Sequence, residues 1–195
     1  EFVLWGGDVF DSYDIVPKLF LQITKILQRF HEVTNKSIPI VAVEGNHDLR
    51  RFNRTKGFYQ RQSWLEVLAS MDLVTLLRSN PVPVGPGDEE SRVFAPHDPI
   101  KKEGSIFETK NAIITGLTYQ RRDMAKKLPA VVKVLNKIKR KGKFNILLGH
   151  FGIEGQMQNV PGQQYGKILP LKRKIDYLGL GHYHPFFSIG GWVFN

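Results

Sequence analysis

Ile38-Pro39-Ile40-Val41-Ala42-Val43-Glu44-Gly45-Asn46-His47-Asp48 is the stretch that decides the fold. Its first half is rich in β-branched residues and ends at a turn-forming cluster, the pattern of a short buried strand. Pro39 stands near the start, where a missing ladder donor costs least. Its second half packs an amide, an imidazole and two carboxylates around one glycine. The same arrangement recurs three times. Phe2-Val3-Leu4-Trp5 runs into Gly6-Gly7-Asp8, residues 144–148 run into Gly149-His150, and residues 175–180 run into Gly181-His182-Tyr183-His184. Four apolar strands therefore each end on a glycine turn that carries a potential metal ligand. In α/β proteins ligands gather beyond the carboxyl ends of the strands, so four such ends aimed at one crevice can surround one cluster.

Between these strands the pattern is helical. Pro17 suits a first helical turn, and Phe20, Ile23, Leu27 and Phe30 recur at three-to-four spacing, predicting an amphipathic helix to about Val33. A short helix is expected over residues 64–71 and a strand within 73–77. Residues 79–110 read as irregular or hairpin structure, and 112–119 as a strand. Val131, Leu135 and Ile138 mark a helix face. That helix is expected to start at Pro129, because an interior proline is costly, and to end at Gly142. Residues 152–174 read as a long polar loop, and residues 186–189 and 192–194 as a hairpin about Gly190-Gly191. Alternating strands and helices predict a layered α/β domain.

The totals narrow the chemistry. A chain of 195 residues with 42% hydrophobic content can bury a core as one domain. No apolar run approaches the ~20 residues that span a bilayer, so no membrane association is expected. With no cysteine, a metal site must use Asp, Asn, Glu and His, donors that suit manganese, iron or zinc. The absence of cysteine agrees with a cytosolic setting. The formal charge of +10 favours a polyanionic partner or a solubilised surface; beside a phosphate-handling site it points to the former.

Each turn alone has a plain structural explanation, since Gly-Asp turns are common and a lone histidine is more often structural. Four together, each at a strand end, point to a shared site. Asp8 has two oxygens with which to bridge two ions, and His182 and His184, two apart in an extended segment, would face one side and take different ions. Two ions about 4 Å apart can activate a water and stabilise both the entering and leaving oxygens of a phosphoryl transfer. His31, within a helix, and His97, in an irregular stretch, are expected to be structural or exposed.

Gly7-Asp8-x-x-Asp11, Gly45-Asn46-His47-Asp48, Gly149-His150 and Gly181-His182-x-His184 resemble the motifs of the calcineurin-like metallophosphoesterase superfamily over nearly the whole chain. Glu44, the Gly-Asp-Val-Phe-Asp loop and the Leu-Gly-His-Tyr-His ending look most like its DNA double-strand-break repair branch, which includes the bacterial SbcD nuclease and its archaeal and eukaryotic counterparts. The resemblance implies the layered calcineurin-like phosphoesterase fold, with sheets flanked by helices. It also implies two divalent metal ions, manganese foremost. Asp8 would bridge them; Asn46, His150 and His182 would serve one ion and His184 the other. His47 would face the scissile phosphate as acid or charge stabiliser, oriented by Asp48.

The superfamily's opening Asp-x-His motif does not occur in residues 1–195, nor does the capping domain of relatives. The expectation is therefore a nuclease domain over 1–195 that lacks its first strand and cap and is impaired as a fragment. The implied partners are DNA, an SMC-like ABC-type repair ATPase and a second copy in a homodimer. The implied location is cytoplasmic and nucleoid-associated, or nuclear in a eukaryote. Arg50, Arg51, Arg54 and Lys56 directly follow the Asn46–His47 turn and are expected to meet nucleic-acid phosphates. The lysines between 133 and 143 read as a solvated helix face. Two other readings remain: a phosphatase or cyclic-nucleotide phosphodiesterase, which would not need a basic surround, and a non-catalytic phosphoesterase-like scaffold subunit, which would be expected to have lost ligands.

Overall fold

Alternation within the short strands sets the architecture. In a computed structural model, which describes residues 1–49, 63–82, 93–120 and 124–195, strand β2 (Ile40–Ala42) turns Ile40 and Ala42 to one apolar cluster, while Val41 and the following Val43 enter another. Strand β1 (Val3–Trp5) behaves alike, with Val3 and Trp5 on one side and Leu4 on the other. Both faces of these strands are thus covered, as parallel sheets require.

Among the described residues, nine strands form two sheets. The first is parallel, in the order β1-β2-β3, with β3 at Thr75–Leu76. The second contains β4 (Ile106–Glu108), β5 (Ala112–Leu117), β6 (Phe144–His150), β7 (Tyr177–Gly181), β8 (Ser188–Ile189) and β9 (Val193–Phe194), in the order β4-β5-β6-β7-β9-β8. Its centre is parallel, and β4 and β8 pair antiparallel at the two edges. Val41, Val43, Leu77, Ile114, Ile146 and Leu148 fill the space between the sheets.

Helices cover the outer faces. Helix α1 (Pro17–Val33) and helix α2 (Trp64–Ser70) pack on the first sheet through Leu27, Leu65 and Leu68. Pro17 opens α1 as expected, and buried His31 holds the Leu73 carbonyl through Nε2 at 2.8 Å. Helix α3 (Met124–Ile138), the short helix α4 (Tyr165–Ile168) and a 3₁₀ turn (Leu169–Arg173) cover the second sheet. The result is a mixed α/β fold with sheets flanked by helices.

Three expectations need correction. Helix α3 begins at Met124, upstream of Pro129. The interior proline costs about 3 kcal/mol, but the added turn carries Met124 and Leu128, both 2% exposed, and burying two such side chains returns about 3–6 kcal/mol. The helix also stops at Ile138; Gly142, with φ +78°, turns the chain four residues later. Residues 152–174 are not all loop, because Ile168 and Leu171 are fully buried on α4 and the 3₁₀ turn. The hairpin at Gly190-Gly191 forms as read, both glycines taking positive φ.

Candidate metal centre

The four glycine turns meet where the two sheets touch. Gly6, after β1, lies against Gly181 at the end of β7, so closely that a Cβ on Gly181 would stand 2.1 Å from the Gly6 carbonyl oxygen. Gly45, after β2, lies under Asp8, where a Cβ would fall 2.1 Å from Asp8 Oδ1. Only glycine permits these approaches. The ligand-bearing ends of both sheets are thereby brought into backbone contact.

Four of the expected side chains converge on this seam. His150 Nε2 lies 3.1 Å from Asp8 Oδ2 and 3.1 Å from Asn46 Oδ1, and His182 Nδ1 lies 2.9 Å from the same amide oxygen. The donor atoms of Asp8, His150 and His182 all fall within 4.8 Å of one another. His150 Nδ1 contacts the Gly6 carbonyl at 2.6 Å. A carbonyl can only accept, so Nδ1 carries a proton, and Nε2 is the ring atom turned to the site. Nε2 faces the oxygens of Asp8 and Asn46, both acceptors, and so meets them either as a donor to Asp8 or around a shared cation. The Nδ1–H to carbonyl bond is the usual orienting contact of a ligating histidine. The donor set therefore fits a divalent ion held by one carboxylate, one amide oxygen and two imidazoles.

Electrostatics agree with this. Burial alone pushes the Asp8 carboxyl up, but the facing His150 and His47 groups outweigh it and hold it below its ordinary value. Burial lowers His182, and the neighbouring His150 adds to the effect. An ionised carboxylate and a neutral imidazole are the forms that bind metal.

Asp48 is fully buried and does something other than orient the His47 ring. Its Oδ2 accepts the N–H groups of Asp8 at 2.7 Å and Gly45 at 2.9 Å, and its Oδ1 accepts Val9 N–H at 3.0 Å. Burial raises its carboxyl above the ordinary value, against these bonds. Asp48 thus ties the Asp8 loop to the Gly45 turn. The His47 ring is held instead through Nδ1 at the Asp11 carbonyl, while its backbone N–H donates to Asp8 Oδ1 at 2.8 Å.

His184 is exposed and outside the tight group, though near enough for its charge to act on His182. The expected extended geometry fails because His182 takes φ +96° as the chain leaves β7, which removes the shared facing of residues two apart. Arg50, Arg51, Arg54 and Lys56 lie outside the described residues.

Two features escaped sequence reasoning. Tyr119, just past β5, sets its ring 5.8 Å from that of His150 and 6.3 Å from that of His182; the clue was a fifth strand end beside β6. Glu44, 3% exposed, is held by Arg78 Nε at 3.0 Å and by Nη2, while Arg78 Nη1 reaches Glu66 at 3.1 Å and Ser63 Oγ donates to Glu44. No local sequence signal joins Glu44 to Arg78.

The chain matches the family model described as calcineurin-like phosphoesterase over residues 1–186. No curated protein matches it significantly.

Proposed function

The chain belongs to the calcineurin-like phosphoesterase family, whose chemistry is metal-dependent phosphoester hydrolysis, and from that premise we propose that it acts as a two-metal nuclease on phosphodiester bonds at DNA ends. The observation that carries the reading is the meeting of the Asp8, Asn46, His150 and His182 side-chain oxygens and ring nitrogens at the sheet seam. Divalent ions bound there supply Lewis acidity and an activated water. In this reading Asp8, Asn46, His150 and His182 would hold one ion, and Asp8 and His184 would hold the second. His47 stands next to the cluster through its N–H bond to Asp8. Its Nδ1 is turned to a backbone carbonyl, which leaves Nε2 as the atom that passes a proton to the leaving oxygen.

DNA is favoured over a small substrate by the +10 charge and by the arginines and lysine at positions 50–56 that follow the His47 turn. The sequence likeness to the repair branch supports the same choice, with manganese as the working ion and an SMC-like ATPase as partner.

The test follows Mn2+ binding by calorimetry, together with hydrolysis of bis-p-nitrophenyl phosphate and shortening of linear duplex DNA. His47→Ala should lower turnover about 10²–10⁴-fold with metal affinity retained, as loss of a general acid does. Asp8→Ala should lose metal binding and turnover together. Undiminished cleavage in both variants would remove this mechanism. Hydrolysis of the small diester or cyclic AMP without DNA binding would move the substrate to the phosphatase or cyclic-nucleotide class.

A further inference from the structure

The end of the second sheet remote from the metal cluster carries a concentration of positive charge. From Met124 to Asn145, and again from Gly155 to Ile175, the sequence holds no Asp or Glu. The fold joins the basic ends of these two segments. Lys139, Arg140 and Lys141 leave α3 as the chain turns into β6, and Lys172, Arg173 and Lys174 close the 3₁₀ turn just before β7. Lys139 Nζ reaches the Arg173 carbonyl at 3.2 Å, and Lys174 Nζ reaches Asn136 Oδ1 at 2.7 Å. Two runs more than thirty residues apart in sequence therefore form one patch, in which Lys139, Arg140, Lys141, Lys172 and Arg173 are exposed.

Two carboxylates sit at the same edge, and both are engaged. Glu108 binds Lys143 at 2.7 Å, and Asp176 accepts the Asn145 N–H at 2.7 Å. Cations at a helix C-terminus offset its dipole, which accounts for lysines in the last turn of α3. It does not account for those after the helix or on the 3₁₀ turn. Like charges gathered on a surface repel, and a polyanion lying across them relieves that repulsion.

We propose that this edge is a second, sequence-independent binding surface for the phosphate backbone of duplex DNA, separate from the metal centre. It rests on the reading of DNA as substrate and assigns a contact that the metal site does not make. Strand β6 runs from Phe144 at the basic edge to His150 at the metal cluster, and six steps of about 3.3 Å put the two about 20 Å apart. The edge holds the duplex but takes no part in bond cleavage.

The experiment uses a fluorescein-labelled 30-base-pair duplex in EDTA, read by anisotropy over a salt series, with the native chain and an R140E/K141E/K172E variant. The native chain should bind, with affinity falling steeply as salt rises. The variant should bind at least about tenfold more weakly, and its salt slope should be smaller by about 2–3, near 0.9 per lost phosphate contact. Its circular dichroism and its hydrolysis of bis-p-nitrophenyl phosphate should match the native chain. Unchanged affinity and slope in a folded variant would overturn the proposal. So would binding of the native chain to phosphatidylserine-containing vesicles but not to duplex. Whether the native chain hydrolyses the small diester bears on the nuclease reading alone, because the anisotropy measurement needs neither metal nor turnover.

Discussion

The two sheets deliver their share of the candidate metal centre by different means. The second sheet presents His150 and His182 from an uninterrupted parallel ladder, with β6 and β7 in register from Ile146 opposite Tyr177 to His150 opposite Gly181. The first sheet presents Asp8 and Asn46 from strands of only three residues. It makes up the deficit with buried carboxylates: Asp48 gathers three backbone N–H groups, and Glu44, fixed by Arg78, anchors the start of the same turn. One half relies on backbone regularity and the other on side-chain ties. The first half should therefore be the more easily broken by a single substitution.

Asp48→Ala is the harshest trial of that contrast. It strands three N–H groups at about 1–3 kcal/mol each, so a loss of about 3 kcal/mol or more is expected in urea denaturation, and Mn2+ binding should disappear in calorimetry. Near-native metal affinity in this variant would abolish the distinction between the halves. Arg78→Ala leaves Glu44 buried without its partner and should cost about 3 kcal/mol. Arg78→Lys keeps the charge without the fork and should recover part of the affinity. The same affinity in all three proteins would mean that the Glu44 anchor does not hold the turn. Metal itself should add stability across the seam: at a hundred times its dissociation constant, about 2.7 kcal/mol, seen as a higher melting temperature that chelation reverses. No shift with saturating manganese would show that the cluster takes no ion. On the ladder side, Tyr183→Phe removes the bond from the hydroxyl to the Pro161 carbonyl and should cost only about 1 kcal/mol. Metal affinity should stay within about twofold, since β7 carries the position of His182. A large drop in affinity would place the ladder half on the same footing as the other.

How much the sequence revealed follows the same division. Strand ends were legible because each is an apolar run stopped by a glycine turn, and α1 because Pro17 and a three-to-four stripe mark it. The assignment of strands to two stacked sheets was not legible, since pairing is set by contacts distant in sequence. Pro129 misled because a local penalty was set against no knowledge of where Met124 and Leu128 would be buried. The gathering of Asp8, Asn46, His150 and His182 was readable from their turns. The tie of Asp48 to Val9, the Gly6 carbonyl beneath His150 and the clasp of Arg78 on Glu44 were not, because they join positions 34 to 144 apart. The shared facing expected of His182 and His184 does not form, because the two-residue rule assumes an extended chain, which the backbone at His182 abandons.

The backbone contact of Gly6 with Gly181 has a mechanical meaning. An ion seated above it would be gripped by two donors from each layer, like a rivet through two plates. Slippage of one plate over the other by an ångström would stretch bonds that tolerate a few tenths. The tightness with which the protein holds its metal would then measure how truly the plates are aligned, so substitutions deep between them, far from any ligand, should register first as a loosened rivet.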